Sequence, residues 1–331
     1  MAGFECRFKY LMFVVIFTCV LLLGESMLNY RPVIGILTQK VSQEFSEYGD
    51  TYILASYVKY LEESGARAVP IRAGQSKSYY EKIFSQINGV LFPGGDVGLD
   101  TSFYANSGRY IYDLAIKAND AGDHFPVWGT CQGFQLLNNL TANENLITPT
   151  DSENLALPLN ITTENVGASR LFGKMPAYIY NILENRPVTY NHHHLSMKRD
   201  TFYNTASLKS FYRVLSTNVD RKGIEFISTF EAFKYPFYGT QWHPEKNNFE
   251  WNPKLFIDHS DLAVDVTQYF SNYFVSEARF SNHKFLNNNT EIHSLIDNYK
   301  RFYLKDGTFD VIYFFNLNGT DPFEEPLLSY V

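Results

Sequence analysis

Three short stretches hold side chains whose types and spacing could do chemistry. The first is Gly129-Thr130-Cys131-Gln132-Gly133, set between an apolar run (Pro126, Val127, Trp128) and a helical pattern (Phe134, Leu136, Leu137, Leu140). It reads as a strand, a sharp turn and a helix: the cysteine counterpart of the Gly-x-Ser-x-Gly elbow that lifts a nucleophile above a sheet. Glycines on both sides of the turn let two backbone segments approach closely. The helix start behind the cysteine offers free N–H groups and a positive dipole end, which favour a thiolate. Taken alone, the pentapeptide fits a buried structural cysteine equally well. The second stretch is His243-Pro244-Glu245. A thiol nucleophile needs a base and a group that orients it. On an extended segment, residues i and i+2 face the same side, so His243 and Glu245 are expected to point together, the carboxylate fixing the imidazole tautomer as in a triad. The third is Pro93-Gly94-Gly95-Asp96, directly after an apolar run. Its glycine N–H groups could hold an oxyanion, with Gly95 N–H and Gln132 N–H as the expected donors. Pro-Gly-Gly is also ordinary turn chemistry.

The elements needed to position these groups are legible in the first half of the chain. Residues 33–37 form a short apolar run, a first buried parallel strand. Residues 39–50 read as a polar loop. Apolar residues recur at helical spacing over 52–61, and Gly65 closes that helix. A strand over 66–71, a helix over 76–86, a strand over 89–92 and a helix over 111–121 precede the elbow strand. This order predicts an α/β fold, a doubly wound and mostly parallel sheet flanked by helices. Sites in such sheets lie outside the carboxyl ends of the strands. The second half is less regular. Residues 152–166 show turn chemistry, and 190–196 read as a polar loop holding His192, His193 and His194. Strands are expected over 211–220 and 223–229, and an amphipathic helix over 265–278. The last fifty residues, rich in Asn, Phe and Tyr, show no separate domain, repeat or linker.

Bulk properties narrow the function class. With 331 residues, 45% apolar and 19% charged, the chain can bury a sizeable core. Its net charge of −7 speaks against a nucleic-acid or anionic-membrane partner, but not against an anionic small substrate. Arg7 and Lys9 precede an apolar run over 11–23 and then Gly24-Glu25-Ser26, the layout of a secretory signal peptide. Residues 1–26 are therefore expected to be a signal peptide and 27–331 a single domain, with no membrane segment after cleavage. The apolar run is shorter than the roughly 20 residues that span a bilayer, although an uncleaved anchor is the other reading. Two of the three cysteines, Cys6 and Cys19, fall in this leader, so the mature chain would keep only Cys131 and no intrachain disulfide. A lone thiol in an oxidising compartment favours the nucleophile reading. Sequons at Asn139, Asn160, Asn288 and Asn318 fit the secretory route as glycosylation sites, Asn139 least because it falls on the helix after the elbow. The three histidines could be a solvated loop or a weak metal site. No other residues supply structural-zinc spacing, so no metal and no cofactor are expected.

In chain order, the Gly-Gly loop, the elbow from Gly129 to Gln135 and the run Gln241-Trp242-His243-Pro244-Glu245 resemble the class I glutamine amidotransferase-like superfamily. Within it they resemble the γ-glutamyl hydrolase (folylpoly-γ-glutamate peptidase) family. The resemblance extends from Arg31 to about Phe285 through stretches 31–39, 55–61, 65–70, 92–95, 128–131 and 223–229, and most specifically 235–246. It implies the class I fold, Cys131 as nucleophile, His243 as general base and acid, and Glu245 completing the triad. It also implies a substrate-contacting histidine in the histidine-rich loop, His193 being the matching position. The implied activity is hydrolysis of γ-glutamyl amides in poly-γ-glutamyl folates and antifolates through a thioester acyl-enzyme. The implied location is the lysosome or extracellular space, and the resemblance allows a homodimer. Such substrates are polyanionic, which makes Arg72, at a strand's carboxyl end, a candidate carboxylate contact. Two other readings stay open. A glutaminase domain feeding ammonia to a synthase would share the triad, but a signal peptide speaks against it. A catalytically inactive secreted binding protein would not need Cys131, His243 and Glu245 together.

Overall fold

Apolar runs that bury both of their faces make the centre of the molecule. The computed structural model describes residues 28–304 and 309–317; the expected signal peptide with Cys6 and Cys19, and the sequon at Asn318, lie outside the described residues. In chain order the first half holds β1 (Val33–Leu37), β2 (Gln39–Lys40), β3 (Thr51–Leu54), α1 (Ala55–Glu62), β4 (Arg67–Ile71), α2 (Lys77–Phe84), β5 (Val90–Phe92), α3 (Phe103–Asp120), β6 (Val127–Thr130) and α4 (Gln132–Ala142). The second half holds β7 (Thr148–Leu157), β8 (Asn160–Ile161), β9 (Thr189–Ser196), β10 (Tyr212–Val219), β11 (Glu225–Ala232), β12 (Phe237–Thr240), α5 (Asp261–Ala278), β13 (Arg301–Tyr303) and β14 (Val311–Phe315), with several shorter helices between them.

Eight strands form one sheet in the order β4-β1-β5-β6-β12-β11-β10-β8. The pairs from β4 to β12 are parallel, and those from β12 to β8 are antiparallel. The expected doubly wound, mostly parallel sheet is therefore present, with an antiparallel flank. Alternation along each strand sends Ile34, Ile36, Leu91, Trp128 and Tyr238 to one face, where Phe270 and Phe274 of α5 cover them. Val33, Leu37, Val90, Val127 and Phe237 go to the other, against Ile111 of α3 and Phe134 and Leu137 of α4. Each such side chain, fully buried, stabilises the fold by roughly 1.5–3 kcal/mol. Ser102 and Ser260 cap α3 and α5, their hydroxyls accepting from Ala105 N and Ala263 N. Because β4 and β5 lie on opposite sides of β1, the winding reverses there. That opens a crevice beyond the carboxyl ends of β1 and β5.

Three regions depart from the sequence expectations. Residues 52–54 are the end of a strand, and the helix starts only at Ala55. β3 is held by β14 on one side and β2 on the other, in a four-stranded sheet ordered β13-β14-β3-β2, and that long-range pairing overrides the helical spacing. Residues 190–196 are not a loop but most of β9, paired antiparallel with β7 in a two-stranded sheet, and 152–157 belong to β7. Asn191 and His193 are buried and His194 is exposed, so burial along the strand does not follow hydrophobicity. The last fifty residues contain the β13–β14 hairpin, whose Ile312, Tyr313, Phe314 and Phe315 join the core.

Candidate active site

Four segments converge beyond the carboxyl ends of adjacent strands: Gln39 after β1, Gly94 and Gly95 after β5, Cys131 after β6, and His243 with Glu245 after β12. β6 and β12 pair in register with Thr130 opposite Thr240, so the sheet itself sets the cysteine turn beside the histidine segment. Cys131 N–H donates to the Thr240 carbonyl at 2.8 Å and fastens the two together.

Cys131 has φ 52° and ψ −107°, a strained conformation for a non-glycine residue. It stands at the N-cap of α4, whose first amides, Gln132 N–H among them, have no partner within the helix. A Cβ at Gly133 would lie 1.8 Å from the Phe92 carbonyl oxygen, so only glycine lets α4 press this closely on β5. The Gln132 side chain then grips the neighbouring loop: its Nε2 donates to Val97 O at 2.7 Å and its Oε1 accepts from Val97 N at 3.2 Å. At its other end that loop is clamped through Pro93 O, which accepts from Gln39 Nε2 at 3.1 Å and Tyr104 Oη at 2.8 Å. Gly94 N–H donates to Tyr57 Oη at 2.8 Å. A Cβ on Gly94 would meet Tyr57 Oη at 2.7 Å, His243 Cε1 at 2.9 Å and Cys131 Cβ at 3.1 Å, which measures how closely these groups surround the loop.

His243 and Glu245 are both buried, with Nδ1 and Oε1 2.8 Å apart. Cys131 Sγ points to the His192 carbonyl at 4.0 Å and acts electrostatically on the same imidazole. Burial alone would pull the His243 pKa down. The Glu245 carboxylate and the Cys131 sulfur outweigh it and push the pKa up to about 9. For Glu245 burial pushes upward, but His243 and then Lys246 hold it below the usual carboxylate range. The segment does not run extended, as alternation along a strand would require. Glu245 has helical φ and ψ and opens the short helix Lys246–Phe249, so a turn, not a strand, folds the carboxylate back onto the ring. Tyr190 O accepts from His243 N at 2.8 Å, and Pro244 O accepts from Thr267 Oγ1 of α5 at 2.7 Å. Lys246 is completely buried, 3.2 Å from Glu250 Oε2 and 3.9 Å from Glu245 Oε1.

A cavity of about 250 Å³ lies over this cluster, lined by Cys131, His243, Gly94, Gly95, Gln132, His193 and others. His193 is buried, with Nε2 3.2 Å from Asn191 Oδ1 and Nδ1 3.5 Å from Thr150 Oγ1. Burial first, and the nearby His243 second, lower its pKa to about 3, so it stays neutral. His192 also lines the cavity; burial above all lowers its pKa to about 4. Arg72 is placed apart. It follows β4, its guanidinium donates to Tyr299 Oη at 3.1 Å, and it does not line the cavity. Of the sequons, Asn160 and Asn288 are exposed. Asn139 is buried within α4, where its Nδ2 donates to Leu99 O at 2.7 Å.

Sequence reasoning did not single out Tyr57, Gln39 or Phe309. Tyr57 also lies 3.4 Å from His243 Nδ1, yet it occupies an apolar position of α1 where an aromatic reads as core. Gln39 sits in a stretch that carries the family resemblance, and that was its only signal. Gln135 was seen only as part of the elbow. Its Nε2 donates to Leu195 O at 2.7 Å and to Gln241 Oε1 at 3.3 Å, linking β9 to the segment after β12.

Comparison with known proteins adds an independent line. The Peptidase C26 family matches residues 32–245. The chain is similar to the human gamma-glutamyl hydrolase, at 46% identity over 82% of this chain and 86% of that protein. It is 43% identical to gamma-glutamyl hydrolase B of Dictyostelium discoideum over 87% of this chain and 84% of the relative. Among solved structures it aligns with the glutaminase domain of Trypanosoma brucei CTPS with bound acivicin, at 13% identity and a TM-score of 0.49, over 75% of this chain and 94% of the other.

Proposed function

The chain belongs to the peptidase C26 family and, within it, to the γ-glutamyl hydrolases, and from that premise we propose that Cys131, His243 and Glu245 are its catalytic triad. The protein is a cysteine-type hydrolase that cleaves γ-glutamyl bonds. Relatives with this name at 43–46% identity leave the glutaminase and inactive-binder readings unfavoured.

The observation that carries the assignment is that Cys131 and His243 line one cavity, with the Glu245 carboxylate buried behind the ring, 2.8 Å from Nδ1. With Nδ1–H engaged by Glu245, Nε2 is the nitrogen left to exchange a proton with the sulfur. The thiol proton passes to His243, and the sulfur adds to the γ-carbonyl carbon of the substrate. The negative charge that develops on the carbonyl oxygen is held by Gly95 N–H and Gln132 N–H. His243 then delivers its proton to the leaving amine. The C–N bond breaks, and a γ-glutamyl thioester remains. A water molecule gives a proton to His243 and adds to the thioester carbonyl. The C–S bond breaks, the acid leaves, and the proton returns to sulfur. Glu245 keeps the ring in one tautomer and stabilises its charged form throughout. A His243 pKa pushed up to about 9 supports this role, since an imidazole that has taken the thiol proton beside the sulfur and Glu245 keeps it until the leaving amine needs it.

The finer reading is that the substrates are pteroyl-poly-γ-glutamates, met in the secretory route, lysosome or extracellular space. His193 would face them as a neutral hydrogen-bonding group. A product-resolved assay on pteroyl-penta-γ-glutamate tests reaction class, nucleophile and cleavage position together. Wild type should release shortened pteroyl-glutamates, and Cys131→Ala should lose turnover by at least about 10³-fold. Substantial turnover by Cys131→Ala would end the nucleophile assignment.

A further inference from the structure

The catalytic cavity does not stand alone. It adjoins a groove of about 1480 Å³, and the two share Tyr52, Leu54, Asp96 and Phe309 in their linings. Phe309 belongs to the β13–β14 hairpin, well past residue 245, where the family match ends. Its ring is 3.6 Å from Lys246 Nζ, measured to the centroid, and its centroid is 6.0 Å from that of His192. Lys246 directly follows Glu245 in the chain, so the hairpin reaches the catalytic segment itself. The contact is backed by two further bonds: Asp310 N donates to Glu250 Oε1 at 2.7 Å, and Trp251 N donates to Asp310 Oδ2 at 2.9 Å. A cation under one face of a phenyl ring, with the desolvation seen here, fixes that ring firmly. A rigid ring costs little entropy when a ligand packs on it.

The groove's chemistry says which part of a substrate it takes. Phe45, Tyr48, Phe103, Tyr104 and Tyr303 line it, and its charged lining residues are Lys40 against Glu44, Asp50 and Asp96. A γ-linked glutamate chain carries one carboxylate per residue and would meet net repulsion there. A flat, weakly charged aryl group would meet aromatic faces and edges, each contact adding affinity beyond simple burial. We propose that Phe309 is a specificity-determining residue that forms, with the groove beyond it, the wall on which the aryl end of a γ-glutamyl substrate rests. The inference builds on the γ-glutamyl hydrolase assignment and adds which end of the substrate lies on the hairpin side.

The test compares kcat/KM for pteroyl-tri-γ-glutamate with that for tri-γ-glutamate lacking the aryl group, in wild type, Phe309→Ala, Phe309→Leu and Phe309→Tyr. Phe309→Ala and Phe309→Leu should lower the ratio of the two values by about tenfold, through KM for the pteroyl substrate. Phe309→Tyr, which keeps the aromatic face, should restore the ratio. Leucine keeps apolar volume in the hairpin and decides the matter if the alanine variant does not fold. A role in fold stability alone would depress both substrates together, so a ratio within about twofold of wild type in Phe309→Leu would overturn the inference. Wild type inactive on both substrates would instead remove the activity assignment, and the inference with it.

Discussion

The proton on His243 is the most consequential detail at the scale of single residues. Its pKa rises to about 9 because Glu245 and Cys131 outweigh burial. The alkaline limb of kcat/KM should therefore fall near pH 9, where the imidazole loses the proton destined for the leaving amine. Glu245→Gln keeps the shape but removes the charge. The limb should then move toward lower pH by more than about one unit, and kcat should drop by roughly 10²-fold or more. A pH–rate profile measured in both proteins checks the shift, and an unmoved limb would mean that Glu245 does not set the base. The three residues proposed as the triad stand out in the sequence because their types are scarce and their spacing distinctive. Cys131 is the one cysteine after residue 19, and Glu245 is two residues from His243. The residues that hold them were not readable. Tyr57, Gln39 and Lys246 are common types, and only the folded geometry brings Tyr57 Oη to Gly94 N–H or buries the Lys246 ammonium between two carboxylates.

At the scale of elements, the site depends on how close α4 lies to β5. A methyl group at Gly133 would collide with the backbone oxygen of Phe92, which cannot rotate away. Gly133→Ala should destabilise the fold by about 3 kcal/mol or more, or prevent folding. Urea unfolding of wild type and variant gives the difference, and a loss below about 1 kcal/mol would show that the helix can simply step back. Elements with strong apolar runs were legible for the same reason that they are stable. β1 matches its run residue for residue, and β4, β5 and α2 fall within a residue or two of expectation. α3 begins eight residues earlier than its apolar pattern, at a serine cap. β7 and β9 were hidden because they bury polar side chains, among them Ser152 and the hydrogen-bonded Asn191 and His193, and so leave no hydrophobic period. The β13–β14 hairpin was hidden because its partner, β3, lies some 260 residues earlier, and no local pattern announces such a pairing.

For the whole molecule, the buried His243–Glu245 pair links catalysis to stability. His243 is raised above its ordinary value of 6.5, so its contribution to folding is fully present below that pH and is lost as pH rises through about 9. Glu245 is lowered, so its contribution is present above the ordinary carboxylate range and is lost on acidification. The melting-temperature advantage of wild type over His243→Gln should therefore be largest above the carboxylate range and below about pH 6.5, should decline from there as pH rises, and should be nearly gone above about pH 9. Thermal melts from pH 5 to 10 would expose a flat difference, which would contradict the pairing. The same architecture has a kinetic side. Cys131 and His243 meet only because Thr130 pairs with Thr240 at the middle of the eight-stranded sheet, and those strands are more than a hundred residues apart in the chain. Contacts of such high sequence separation form late, after loop-closure entropy has been overcome. Helices and local turns can return during refolding while Cys131 still has no His243 beside it. The enzyme should thus regain its circular dichroism before its turnover, and recovered activity would time the moment at which β12 docks against β6.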